Sequence, residues 1–482
     1  TSLLKRRRTL LAVLGVRPEA YQALGGETAD MEVDDMVPVG SNGRTERGAR
    51  QCMWLVLAFV MCTEFLPAEP FLQDFMISKG FSNQEIYDSV LDLYIYFRFP
   101  VILAVGFLAE YLGSALVLFI GALFGFGTVA MTTWGKSLWI LQVTQLTVTL
   151  STATHMGALF ALVYEITEET SRSWQIHVFW TKAVLLLANF LAGLVGSLLR
   201  YSFAVKYAVI SEVTLITQGL SAVIAGMLLW RRQSRPRCRP CSLLWTMTWS
   251  SFRLQGVSRW TLWSVLTHTV HVMVATYWTS LARAKTGRQN NFNGYANSAC
   301  YLLGGAALYM LCDAKVLGSR NHRWWMVSLL LLSSGVLVML MGASPLLVEV
   351  YGFYILYQLI FRIGSAIATQ QVGSEVQESF RAAARGESPS PAAALMLHSP
   401  LEGRGRSASL SSCQRSADTQ NFQQNQTSSD SRPPLALLLN ITEVLGSAVQ
   451  VVVQYLFKHP ESLGHRTPVT MPARFFLLGA SS

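Results

Sequence analysis

Long apolar runs separated by short polar breaks dominate the chain from residue 52 onward. A membrane-crossing helix needs about 20 mostly apolar residues, whereas a transmembrane β-barrel shows alternating segments of roughly ten residues. The runs here do not alternate over such lengths. The pattern therefore predicts an all-α polytopic membrane protein with eleven spans, at residues 52–65, 88–112, 114–133, 137–166, 176–199, 207–230, 260–282, 294–313, 323–343, 347–371 and 435–457.

Polar segments divide these spans into two groups of six once a twelfth is counted. Residues Arg474–Ala480 look like the opening turns of that twelfth helix, which we expect to be truncated. Two six-helix bundles are typical of the major facilitator fold, whose substrate site lies near the middle of the membrane between its halves. The predicted segments are a polar tail at 1–50, a first bundle at 51–230, a basic linker at 231–259, a second bundle at 260–376, a disordered insert at 377–434, and the end of the second bundle at 435–482.

Composition narrows the class of protein. Only 14% of the 482 residues are charged, against about 25% in soluble proteins, which argues against a soluble enzyme. The net charge of +10 resides in loops rather than on one folded face, so it indicates membrane orientation and not nucleic-acid binding. The basic loop at Arg231–Arg239 favours a cytoplasmic N-terminus, and we expect a location in the plasma membrane. Cys238 and Cys241 form a CxxC without two further ligands, so we expect neither metal nor cofactor.

Ionisable side chains inside the predicted spans are the candidate functional groups. Such groups are costly in lipid and tend to face a cavity, pair with each other or carry function. Glu69 lies between Pro67 and Pro70, and irregular backbone at membrane depth persists only where protein or water lines it. This set predicts a wet cavity, and its members are Glu64, Glu69, Arg98, Glu110, His155, Lys182, His268, His271, Arg362 and Glu443.

Several segments resemble one family, the reduced folate carriers and thiamine transporters. Leu66–Leu72 is similar to the family's Arg-Pro-Ser-Glu-Pro-Phe-Leu signature near the end of the first span. The resemblance covers residues 52–312 well and 347–457 loosely. Its other segments are Phe81–Ile86 and Phe107–Leu112 around the second span, and Trp260–Trp263, Phe292–Gly294 and Leu302–Gly304 in the second half.

The resemblance implies roles for four residues of the first half. Glu69 falls on the family's substrate-binding glutamate, and Glu110 falls on the acidic residue that closes the second span. Tyr94 takes the place of the aromatic residue that stacks on thiamine, which keeps a π face for a heteroaromatic ring. His155 occupies the fourth-span position that is glutamate in thiamine carriers and arginine in folate carriers.

Further positions follow from the same resemblance. Lys182 falls on the fifth-span arginine, Asn293 on the asparagine of Tyr-Asn-Gly, and Arg362 near the tenth-span arginine of folate carriers. Gln450 replaces a lysine and Leu66 replaces an arginine of the family pattern, which removes two cations. Thiamine is a cation, whereas folate carries carboxylates that suit lysine and arginine. The two losses therefore slightly favour thiamine as the substrate, while Lys182 and Arg362 remain compatible with folate.

Other interpretations of the same residues stay open. Glu110 lies close to a predicted span end, and His155 could be a buried histidine that only hydrogen-bonds between helices. Tyr94 and Arg98 are four residues apart on one helix face, so they could form an internal pair. Dispersed charges without a nucleophile argue against a membrane enzyme.

The function that the sequence supports best is a vitamin carrier. We expect a secondary active or facilitative transporter that moves thiamine or reduced folate by alternating access, with a proton or an organic anion as the coupling partner. The partners are then the small vitamin and the lipid bilayer. The alternative is a non-transporting or differently specific paralogue that binds a small organic solute.

Overall fold

A computed structural model provides the architecture. It describes residues 43–82, 85–168, 174–232, 249, 255–286, 293–311, 320–384, 441 and 444–452. The predicted insert from residue 385 onward, most of the basic linker with its CxxC, and the proposed twelfth span lie outside the described residues.

The described chain is built from helices, with no β-strand in these ranges. Twelve are α-helices: α1 Gly43–Glu64, α2 Leu72–Ser78, α3 Asp92–Leu112, α4 Ser114–Trp134, α5 Leu138–Met156, α6 Ala158–Glu168, α7 Trp174–Ser197, α8 Tyr207–Arg232, α9 Gln255–Thr286, α10 Asn293–Leu311, α11 Arg320–Ala343 and α12 Leu347–Ala384. A 3-10 turn at Glu69–Phe71 precedes α2, and π-helical turns occur at Glu85–Leu91 and Leu198–Ser202. Residues 444–452 are also helical.

Seven helical stretches in the described ranges are long and apolar enough to cross a membrane. They are Arg47–Ser78, Ser114–Trp134, Leu138–Thr167, Ile176–Ser202, Tyr207–Arg232, Trp324–Ala343 and Leu347–Val372. The helices α3, α9 and α10 lie at three more of the predicted spans, and residues 444–452 fall within another. The predicted all-α polytopic membrane protein is thereby confirmed.

Helix ends differ from the predicted span ends. The first helix begins at Gly43, before the predicted start of the bundle at residue 51, and α12 runs on to Ala384, into the predicted insert at 377. The predicted span at 137–166 consists of α5 and α6, which meet at Gly157. Span prediction follows apolarity, whereas a helix continues through polar residues of good helix propensity, such as the Ala- and Arg-containing end of α12.

Two apolar clusters organise the helices into halves. One cluster joins α1, α4, α6, α7 and α8, and its buried members include Phe59, Leu118 and Leu162. The other joins α9, α10, α11 and α12 around Tyr354 and Tyr357. Each half therefore has an apolar core of its own.

The halves meet where α7 packs against α10 and α12. A Cβ added at Gly193 would overlap Ser298 Oγ, and one at Gly294 would overlap Ser197 Oγ. Small residues at such positions let two membrane helices approach closely. A small apolar cluster that includes Phe179 of α7 and also draws on α10 and α12 completes this contact.

Candidate functional site

A cavity of about 470 Å³ lies between the halves. Its wall combines residues of α1, α4, α5, α7 and α8 with residues of α9, α10 and α12. The volume falls within the range of small-molecule pockets, about 300–1,000 Å³. Seven acidic, basic and histidine side chains line it: Glu64, Glu69, His155, Lys182, His268, His271 and Arg362.

The break between α1 and α2 places Glu69 in this cavity. The α-helix stops at Glu64, and Glu69 opens a short 3-10 turn with Pro70 in its first positions. Hydroxyls of α8 satisfy the freed backbone: Ala68 N donates to Thr214 Oγ1 at 3.1 Å, and Thr217 Oγ1 donates to the Phe65 carbonyl at 3.0 Å. Irregular backbone thus persists where protein and a cavity surround it.

Glu64 ends α1 beside the same cavity and belongs to a polar cluster. Its Oε2 accepts a hydrogen bond from Asn189 Nδ2 of α7 at 3.0 Å. Its Oε1 lies 3.9 Å from His155 Nδ1 of α5. The His155 ring packs edge-on against Phe59, with ring centroids 5.8 Å apart. The carboxylate is therefore hydrogen-bonded to a side chain of α7 and lies close to a side chain of α5.

Lys182 contributes a cation at the contact between the halves. Its Nζ donates to Thr369 Oγ1 at 2.9 Å and to Ser365 Oγ at 3.4 Å, and both partners belong to α12. The ammonium also lies 5.6 Å from the centre of the Phe160 ring. Lys182 thereby places an ammonium group in the cavity wall, and such a group suits a carboxylate or another anion.

Arg362 contributes a second cation from α12. Its guanidinium lies over the Tyr301 ring, with Cζ 4.1 Å from the ring centre. The Arg362 side chain packs directly on Gly304, where a Cβ would lie 2.9 Å from Arg362 Cδ. The absence of a side chain at Gly304 therefore leaves room for Arg362 in this position. Arg362 interacts electrostatically with Glu64 and Glu69, and its buried Nε has no hydrogen-bond partner among the described residues. The wall therefore brings both signs of charge together.

Two histidines of α9 complete the polar wall. His271 stacks on Phe361 with ring centroids 3.7 Å apart and an interplanar angle of 4°. His268 Nε2 lies 3.0 Å from Arg98 Nη2 of α3, which links the two halves. The Arg98 guanidinium in turn lies 5.7 Å from the centre of the Tyr94 ring.

The sequence-predicted site residues separate into two groups. Glu69, His155, Lys182 and Arg362 line one cavity. Tyr94 is outside that lining, and its ring lies near Arg98, which in turn contacts His268 of the cavity wall.

The remaining three candidates lie outside the cavity lining or outside the described part of the structure. Glu110 is buried near the end of α3, and it too is outside the cavity lining. Asn293 begins α10, but its side chain lies outside the described part of the structure. Glu443 lies outside the described residues as well.

The wall also contains neutral polar residues without a sequence prediction, and Asn189 and Tyr301 are two of them. Asn189 and Tyr301 both line the cavity, the first bonded to Glu64 and the second beneath Arg362. Neither residue type is unusual in an apolar span, so the composition of the helices gave no signal for them. Among the described residues, no group of three His, Cys, Asp or Glu side chains could hold a metal ion.

Comparison with known proteins identifies the family. The profile described as reduced folate carrier matches residues 50–237 and 231–386. Folate-like transporter 3 of Caenorhabditis elegans is 24% identical over 355 residues, which cover 67% of this chain and 81% of that protein. A folate-like transporter of Dictyostelium discoideum is 23% identical over 325 residues, covering 66% of this chain and 55% of that protein. Folate transporter 1 of C. elegans is 24% identical over 182 residues, covering 36% of this chain and 40% of that protein. With most of its helical body matched, this multi-pass membrane protein belongs to the reduced folate carrier family.

Proposed function

We propose that this protein is a carrier of a folate-type vitamin. The observation that supports this most directly is the cavity between the halves, whose wall presents Lys182 and Arg362 together with Glu64 and Glu69. A folate has carboxylates at one end, which suit lysine and arginine. At the other end it has a ring with N–H donors, which suit carboxylates.

Alternating access fits the way the halves are built. Each half has its own apolar core, and the charged cavity lies between them. In a major facilitator arrangement the two halves rock about such a central site. A proton or an organic anion gradient, or facilitation alone, would drive net transport. We assign the protein to the plasma membrane with a cytoplasmic N-terminus, and we assign it no enzymatic activity.

Thiamine is the second candidate substrate. Its positive charge suits Glu64 and Glu69, and the sequence pattern leaned slightly toward it. The named relatives are folate-like transporters, and two cations line the same cavity. These observations favour a folate-type substrate over thiamine.

Uptake by cells that lack their own vitamin carriers tests this proposal. Cells expressing the chain should accumulate labelled reduced folate more strongly than labelled thiamine. Lys182→Met and Arg362→Met should each lower folate uptake by about tenfold or more, since each removes a charged partner worth roughly 1.5–3 kcal/mol.

The matched control is Lys206→Met. Lys206 is exposed immediately before α8 and is not among the residues that line the cavity, so uptake should stay at the unsubstituted level. Surface labelling of the protein must show equal delivery to the plasma membrane. Absence of uptake for both vitamins at normal surface levels would refute the carrier proposal.

A further inference from the structure

The polar cluster at the end of α1 has one member whose orientation is fixed. Asn189 Nδ2 donates to Glu64 Oε2 at 3.0 Å and to the Leu185 carbonyl at 3.0 Å. An amide nitrogen carries two N–H groups, so both donors of Asn189 are used. The amide therefore holds the Glu64 carboxylate at one position in the cavity wall.

The other oxygen of Glu64 retains its capacity to accept. Oε1 lies 3.9 Å from His155 Nδ1, which is within ion-pair range but too long for a hydrogen bond. A carboxylate oxygen has two lone-pair sites, so Oε2 also keeps one site beyond the bond from Asn189. Glu64 is 23% exposed and lines the cavity, so a molecule there can reach these sites.

The surroundings of Glu64 favour a neutral donor group over a simple cation. Arg362 already interacts electrostatically with Glu64 and Glu69, which offsets part of the cost of burying their charge. The His155 ring lies on one side of the Glu64 carboxylate and packs edge-on against Phe59. Its Nε2 is buried without a hydrogen-bond partner in the described residues. Among the described residues, Asn189 is the side chain that donates an N–H to this carboxylate, so its cavity side can accept N–H donors from a bound molecule.

We propose that Glu64, oriented by Asn189, recognises two adjacent N–H donors of the substrate. The chemical class is a planar ring edge that carries an amino group beside a ring N–H, as in a 2-amino-4-oxopyrimidine. Two parallel N–H···O bonds to one carboxylate fix both position and orientation. The proposal rests on a folate-type substrate, whose ring carries this edge. It assigns the recognition of this ring edge to Glu64 rather than to Glu69.

Competition binding on the purified protein tests the assignment. Labelled reduced folate is displaced by unlabelled folate and by its 2-deamino analogue, which lacks the amino group. The unsubstituted protein should prefer the 2-amino compound by about tenfold or more, which corresponds to one charge-assisted hydrogen bond. Glu64→Gln should abolish that preference by weakening the 2-amino compound much more than the deamino analogue, whose ring N–H can still donate to the glutamine oxygen.

Two further variants sharpen the result. Asn189→Leu should reduce the preference for the 2-amino compound because Glu64 loses its orienting bond. Glu212→Gln, at an exposed position on α8, should keep the full preference. Binding of the deamino analogue reports that each variant is folded.

The assignment is overturned if Glu64→Gln leaves the preference intact or weakens both compounds equally. If the unsubstituted chain still takes up labelled folate in that case, only the Glu64 assignment fails and the carrier proposal stands. If the unsubstituted chain neither binds nor takes up folate, both proposals fail together.

Discussion

At the scale of single residues, the position of Arg362 depends on a glycine on a neighbouring helix. A Cβ at Gly304 would lie 2.9 Å from Arg362 Cδ, so Gly304→Ala should push the guanidinium off the Tyr301 ring. We expect the half-saturation concentration for reduced folate uptake to rise roughly tenfold, the cost of a weakened charge-assisted contact.

The adjacent glycine provides the control for this prediction. A Cβ at Gly305 would meet Leu186 Cβ at 3.6 Å, an ordinary van der Waals contact, so Gly305→Ala should leave uptake kinetics unchanged. Equal half-saturation concentrations for the two variants, measured in the same cells, would contradict the role given to Gly304.

Charge explains which site residues could be predicted. Glu69, Lys182 and Arg362 stood out because ionisable groups are rare in apolar spans, and all three line the cavity. Asn189 could not be predicted, since a neutral polar residue is ordinary in a span. Its partner Glu64 is also 125 positions away in the chain.

At the scale of helices, the break between α1 and α2 is supported by a close approach of α7. A Cβ at Gly196 would overlap the Pro67 carbonyl oxygen, which is a backbone atom and cannot move aside cheaply. Gly196→Ala should therefore destabilise the protein by about 1–3 kcal/mol, the usual cost of overpacking. Thermal unfolding in detergent measures this as a lower midpoint.

A glycine on α8 serves for comparison. A Cβ at Gly219 would meet the Phe126 ring at 3.5 Å, so Gly219→Ala should unfold at the temperature of the unsubstituted protein. If both variants unfold at that temperature, the packing described around Pro67 is incorrect.

Helix breaks were predictable where the residue type forces them. Pro67 and Pro70 indicated irregular backbone, and the structure ends α1 at Glu64 just before them. The hydroxyls that satisfy this backbone, Thr214 and Thr217, were not predictable because they come from α8, about 150 positions later. The apolar pattern of a segment predicts that it forms a helix, but it does not predict which other helices pack against it.

At the scale of the whole molecule, apolarity alone predicted an all-α membrane protein. The arrangement of its helices depends on contacts between distant positions, such as Lys182 of α7 with Thr369 of α12. A single sequence carries little information on such pairs. A cavity could be anticipated from buried charge, but its volume and the grouping of its wall residues could not.

Counterflow in proteoliposomes tests the central claim, that the charged cavity is a passage. The purified protein is reconstituted into vesicles preloaded with unlabelled reduced folate, and labelled folate is added outside. A carrier that alternates between two sides should accumulate label transiently above its equilibrium level, and this accumulation should be absent from unloaded vesicles and from vesicles with Lys182→Met. Binding of labelled folate by the reconstituted chain without any exchange across the bilayer would contradict the account and identify a receptor that does not transport.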